Sequence, residues 1–403
     1  MRTPVIVVAG QGQSNAVCDV LMATPGTVVV SHRFDGQVVI RTVATHRHER
    51  VLVSEWPLEL AKGCVGCTTR GDLLVLLRRL HRREDVTRIV VLLAPWLEPE
   101  PVCWSIDNVS VHVGPGYIDG PAGRDVSIEA VVTTVDTRVW LAQALGDDDL
   151  DATRTVAQVV VGQAEFADVV VLTEPDRRTL AVLRRLAPRA RITVGTDQLA
   201  TAVANLDPDA RRGRAHNPHD ALLAGEPPLR PDGDVALVEF TARRPFHPLR
   251  LHQAIDDLLD GVVRLRGRAW LASQPDAVVW MESAGGGLHV GHAGDWLAAM
   301  GPHRRAYAAP ERVALAAGHW DERFGDRHIA LTVLVCGADP ETVRRVLARA
   351  LLTDDELSRP QAWPGLEDPF GDWHEDPCAA LDETAQARSS DRRRGPAEGS
   401  GLE

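Results

Sequence analysis

Short, fully apolar runs recur through the first half of this chain, and they constrain its fold more than any other feature. Residues 5–9, 27–30, 89–93, 130–135, 169–172 and 192–194 are each too short for a helix and rich in Val and Ile. A strand apolar on both faces must be covered on both faces, which is the condition of a parallel sheet between two layers of helices. Residues 38–43 add a further candidate strand. Between these runs the period changes. In 70–83, Leu73, Leu76, Leu77 and Leu80 make one apolar stripe, and Arg78, Arg79, Arg82 and Arg83 occupy the rest of the surface. Residues 180–186 also read as helix. Strands alternating with helices predict an α/β unit with a mostly parallel sheet.

The pattern dissolves over 206–234, where Arg211-Arg212-Gly213-Arg214, Asn217-Pro218 and Pro227-Pro228 mark a linker. Strands are then predicted at 235–240, 269–271, 277–281, 288–290 and 329–335, with helices over 248–260 and 340–352. That is a smaller, β-rich α+β unit. From 383 to 403 the chain is polar, charged and poor in apolar residues, the composition of a disordered tail. The expected division is 1–205, a linker 206–233, 234–355, and an extension with tail over 356–403.

The chain of 403 residues carries a net charge of -12. An acidic chain is a poor ligand for phosphate backbones, so direct sequence-specific nucleic-acid binding is not expected. No stretch approaches the roughly 18 apolar residues that span a bilayer, and the opening apolar run is too short for a signal peptide. A cytoplasmic location without membrane contact is the expectation. The six cysteines do not form a secreted disulfide framework.

The first strand feeds the loop Gly10-Gln11-Gly12-Gln13-Ser14-Asn15-Ala16, the place where a phosphate-binding loop belongs. Such a loop needs a Lys for the phosphates and a Ser or Thr for Mg²⁺. Asn15 and Ala16 stand there instead, and Lys62 is the only lysine in the chain. A decayed turn and a residual anion site on the Gly10 and Gly12 amides are the two readings. After the strand at 169–172, Thr173-Glu174-Pro175-Asp176 keeps only the Asp of a guanine-reading Asn-Lys-x-Asp. After 89–93, Ala94-Pro95-Trp96 offers neither carboxylate nor Gly for Mg²⁺. A working GTPase is not expected.

Gly63-Cys64-Val65-Gly66-Cys67-Thr68-Thr69-Arg70-Gly71-Asp72-Leu73-Leu74 places two thiols just before a helix. A helix N-terminus favours the thiolate, the form that binds metal, and Cys-x-x-Cys spacing lets both sulfurs reach one Zn²⁺. Two thiolates do not complete a tetrahedral set. His32 and Asp35 are the first candidates for the remainder, and His46, His48, Glu55 and Glu59 follow. Buried structural thiols and a redox pair are the competing readings. His374 and Cys378 suggest a second site, against a plain solvated tail.

Together these segments resemble the CobW-type metal-chaperone GTPases. The family's Gly-Cys-x-Cys-Cys-Thr-x-Arg-x-Asp-Leu element is matched by residues 63–73, with Gly66 in place of the middle cysteine. Val131-Val132-Thr133-Thr134-Val135-Asp136 and Gln163-Ala164-Glu165-Phe166-Ala167-Asp168 resemble two further elements of its first domain. Ala242-Arg243-Arg244-Pro245-Phe246-His247-Pro248 and Val263-Arg264-Leu265-Arg266-Gly267-Arg268-Ala269-Trp270 are similar to its C-terminal domain. The resemblance covers about residues 1–355. It implies a degenerate P-loop domain followed by a CobW C-terminal domain, zinc at Cys64 and Cys67, and GTP at vestigial positions Gly10, Gly12, Asn15 and Asp176. Ala94-Pro95-Trp96-Leu97-Glu98-Pro99 and Asp368-Pro369-Phe370-Gly371-Asp372-Trp373-His374 resemble the branch that recruits a ribosome hibernation factor when zinc is scarce. That branch implies two partners, the hibernation factor and the small ribosomal subunit. A zinc metallochaperone that retains some GTP binding or hydrolysis is the alternative.

Overall fold

A computed structural model of the protein describes residues 1–47, 50–215, 222–223 and 225–371. The expected tail at 383–403, and His48, His374 and Cys378, lie outside them.

The first unit runs β1 (Thr3–Gly10), α1 (Ser14–Met22), β2 (Thr27–Phe34), β3 (Val39–Arg47), β4 (Arg50–Leu58), α2 (Val65–His81), β5 (Arg88–Leu92) and α3 (Pro99–Asn108). A small ribbon follows, β6 (Ser110–Val111) with β7 (Gly120–Pro121), then β8 (Val126–Val135) and α4 (Trp140–Leu145). The unit closes with α5 (Val156–Glu165), β9 (Val169–Leu172), α6 (Arg177–Leu186), β10 (Arg191–Val194) and α7 (Leu199–Ala204). Eight strands form one sheet in the order β10-β9-β8-β1-β5-β2-β3-β4. From β10 to β2 the pairing is parallel; β3 and β4 extend the edge as an antiparallel hairpin.

The apolar runs do what their composition requires. Val5, Val7, Val28, Val30, Ile89 and Val91 point to one face, where Leu73, Leu77 and Leu80 of α2 and Ile106 of α3 cover them. Ile6, Val8, Val29, Val90, Ala130 and Val132 point to the other, under Val17 and Leu21 of α1 and Leu199 and Val203 of α7. Each such side chain, fully buried, contributes about 1.5–3 kcal/mol, so the central strands carry the stability of the unit. Val51, Leu52, Val53 and Trp56 of β4 remain exposed. This strand alternates too weakly to be recognised in the sequence.

The second unit comprises β11 (Val235–Ala242), α8 (Pro248–Gln253), α9 (Ile255–Leu259), β12 (Val262–Ala269), β13 (Ala277–Ala284), β14 (Gly287–Asp295), α10 (Pro302–Ala306), α11 (Pro310–His319), β15 (Ile329–Cys336) and α12 (Pro340–Ala350). Its antiparallel sheet has the order β11-β15-β12-β13-β14. The helix predicted over 248–260 is divided at Ala254, and the strand predicted at 269–271 lies mostly earlier, as β12. Arg264, Arg266 and Arg268 interrupt the apolar run there, which concealed the strand. The chain as far as Phe370 packs on this unit: Trp363 is buried against Trp270, ring centroids 5.9 Å apart. An apolar cluster joins the two units, with Val135, Val160 and Leu183 from the first and Val263, Leu334 and Cys336 from the second. Among the described residues, no helix is long and apolar enough to cross a membrane.

Candidate metal centre

Gly63, at a φ of 71°, turns the chain into α2, and Cys64 caps that helix. The Cys64 Sγ accepts the Cys67 N–H at 3.1 Å. Thr68 Oγ1 donates to the Cys64 carbonyl at 2.8 Å and accepts the Ala61 N–H at 2.8 Å, which fastens the turn. Neither cysteine is in a disulfide, and both are half-buried. The Cys67 side chain, then its N–H, hold the Cys64 thiol below its ordinary pKa, and Arg70 adds to the effect. The other described cysteines differ. Burial pushes Cys18 up to about 12 and raises Cys103 and Cys336. The thiolate is therefore easier to form at Cys64 than at the buried cysteines.

The structure does not bring His32 and Asp35 to this pair. His32, on β2, is buried, and its Nε2 lies 2.8 Å from Asp72 Oδ2. Arg41 of β3 donates to the other Asp72 oxygen at 2.8 Å and lies over the Trp56 ring. Asp72, part of the cysteine element, thus fastens α2 to β2 and β3. Asp35 accepts the N–H groups of Val38 and Gln37, each at 2.9 Å, and these bonds hold its carboxyl below the usual range. It shapes the β2–β3 turn. His46 and Glu59 are exposed, and Glu55 faces Arg33 at 3.6 Å. Among the described residues, no three His, Cys, Asp or Glu side chains are grouped to hold a metal ion. Cys64 and Cys67 stand as a pair at the N-terminal end of α2.

The loop after β1 is filled from within the protein. Gly12 N–H donates to Thr134 Oγ1 at 3.1 Å, and Ser14 Oγ lies 2.7 Å from the same atom. The Gln11 amide donates to the Pro95 carbonyl and, at 3.3 Å, to Gln163 Oε1. Gln163 donates in turn to the carbonyls of Pro95 and Leu97, each at 2.8 Å. The Gly12 amide is thus engaged by β8, and the Gln11 side chain ties the loop to the segment after β5. Asn15 is exposed in the first turn of α1. Asp176 caps α6, accepting the Thr179 N–H at 2.7 Å, and Thr173 faces Thr137. With Asn15 and Ala16 where a Lys and an Mg²⁺-binding Ser or Thr are needed, these residues do not fit GTP hydrolysis.

Sequence reasoning missed Asp72 and Gln163 as organising residues. Asp72 stands in a motif read only for its cysteines, and a buried Gln carries no periodic signal.

Comparison with known proteins agrees with this architecture. Residues 29–195 match the family model of the CobW/HypB/UreG nucleotide-binding domain, and residues 235–351 that of the cobalamin synthesis protein CobW C-terminal domain. The chain is 60% identical over 395 residues to the Mycobacterium tuberculosis protein named zinc chaperone Rv0106, covering 98% of this chain and 99% of that one. It is 26% identical over 352 residues to the zinc-regulated GTPase metalloprotein activator 1 of Dictyostelium discoideum, covering 79% and 70%. Among solved structures, the Zn(II)-bound YjiA GTPase from E. coli is similar at 13% identity and a TM-score of 0.38, over 87% of this chain and 100% of that one.

Proposed function

We infer the function from one premise: this chain belongs to the CobW family, with a nucleotide-binding-type domain followed by a CobW C-terminal domain. On that premise it is a zinc metallochaperone that carries the ion as cargo on Cys64 and Cys67. The observation that carries this reading is the incomplete thiol pair. A closed four-ligand site retains zinc, whereas a two-thiolate site leaves positions that a client's own ligands can take. Cys64 is held toward the thiolate chiefly by hydrogen bonds within the turn, with Arg70 adding to the effect. Release follows from ligand competition. The names of the two relatives, a zinc chaperone and a zinc-regulated activator, support zinc as the cargo.

Chelator competition on the full chain tests this. The expected result is one zinc per chain, lost in Cys64→Ser and in Cys67→Ser and kept in Cys18→Ser. A double Cys64→Ser, Cys67→Ser protein that keeps the wild-type zinc affinity would overturn the proposal.

A second reading draws on the self-bonded loop after β1. A docking protein needs no phosphoryl transfer, and the half-exposed Trp96 beside that loop is the kind of side chain that anchors interfaces. In this reading the protein recruits a ribosome hibernation factor to the small ribosomal subunit. Co-sedimentation with small subunits and the factor, at low and saturating zinc, is expected to show zinc-dependent association. A protein left in the supernatant at both zinc levels would exclude it.

A further inference from the structure

The largest chemical anomaly of the molecule lies away from the cysteines. A cavity of about 370 Å³ separates the two units. Its walls come from the end of α5 and the turn before β9, the end of α6 and the turn after it, the segment after α7, and the β11, β12 and β15 strands of the second sheet. Six arginines, Arg185, Arg189, Arg211, Arg214, Arg264 and Arg266, line it together with three carboxylates. In a chain of net charge -12 this is a local reversal of sign.

Pairing divides the arginines into two groups. Arg264 and Arg266 are tied to Glu165, the former at 2.9 Å, and Arg264 also reaches Glu282 at 3.1 Å. Asp168 is turned inward, accepting the Val131 N–H at 2.8 Å and the Arg212 N–H at 2.9 Å. The remaining carboxylate, Asp209, has its side chain in no ion pair among the described residues. Arg185, Arg189, Arg211 and Arg214 make no carboxylate pair among the described residues either. Arg185 donates to the carbonyls of Ala181 and Arg230, Arg189 to that of Asp209, and Arg214 to those of Arg211 and Ala210. Arg211 lies over the Phe166 ring, 5.3 Å from its centroid. Guanidinium groups gathered without a facing carboxylate repel one another, and an anion between them would relieve that repulsion.

We propose that this interdomain cavity is a binding site for a small phosphorylated anion, held by Arg185, Arg211 and Arg214 with Arg266 contributed by the second unit. Guanidinium groups bind phosphate through paired N–H donors, and a diphosphate offers enough oxygens to engage several at once. The cavity falls in the size range of small-molecule sites. Because its walls belong to both units, the bound anion ties one to the other. The site is independent of the thiol pair.

Calorimetric titration of the full chain with inorganic pyrophosphate tests this, in chelator-treated buffer without added metal. One equivalent is expected to bind, more weakly as salt rises, and to raise the melting temperature. Arg211→Gln and Arg185→Gln are each expected to weaken binding about ten- to hundredfold, the effect of losing a charged hydrogen-bond pair. Arg211→Lys is expected to recover part of the loss, which separates binding from folding. Gln11→Ala, in the loop after β1, is expected to leave binding unchanged. Absence of pyrophosphate binding would overturn the proposal. So would binding that survives both arginine substitutions or is lost in Gln11→Ala, since the anion would then sit elsewhere.

Discussion

Replacing Gly66 by Cys is expected to tighten zinc binding about a hundredfold. Gly66 lies in the first turn of α2, between the two thiols, and a Cβ built on it meets no atom within 4 Å. A cysteine there is accommodated without displacing a neighbour, and its sulfur leaves the same helix end as those of Cys64 and Cys67. Complete four-ligand zinc sites in small peptides are worth roughly 10–16 kcal/mol, or about 3 kcal/mol per ligand. At about 1.4 kcal/mol per tenfold change, a third thiolate gives a factor on the order of 100. The same substitution should slow transfer to a competing chelator, because one open position is lost. Gly66→Ser is the control, with a Cβ and no thiolate. Equal zinc affinities for the Cys and Ser variants would show that this turn is not where zinc sits.

Replacing Gly10 by Ala is expected to destabilise the first unit by about 3 kcal/mol or more, a cost typical of backbone strain combined with a clash. Gly10 ends β1 at a φ of 107°, and an added Cβ would lie 2.1 Å from the Thr134 carbonyl oxygen and 2.7 Å from its nitrogen. Those atoms belong to β8, paired with β1 in the middle of the sheet, and cannot move aside. Gly12 differs: its φ is ordinary and the nearest atoms to its Cβ are 3.2 Å away. Gly12→Ala should therefore cost about 1 kcal/mol, the ordinary scale of a single substitution. Urea unfolding of the two variants checks the difference, and equal losses would contradict this account of the loop. Gly10, which in a phosphate-binding loop brings backbone close to a ligand, is here required by the neighbouring strand.

The sheet and its two helical layers were legible because burial on both faces demands continuous apolar strands, and such runs survive in any sequence that keeps the fold. The missing Lys, Ser or Thr and guanine-reading pair were legible for a similar reason: phosphoryl transfer requires particular side chains, and their absence can be read directly. The cysteine pair was visible from spacing alone. Other features depend on distance through space. His32 and Asp35 were chosen for a place in the loop after the second strand, but in the folded protein Asp72 claims His32, on β2 itself, and the β2–β3 turn claims Asp35. β4 and the helix α3 carry mixed patterns, so their period is weak in the sequence. The loop after β1 looked like a decayed turn; only the structure shows Gln11, Gln163 and Pro95 closing it. The arginine cavity draws its walls from residues 165 to 334. Local chemistry is written in residue types, whereas a site assembled from several elements exists only once the sheets have packed and fixed which charges meet.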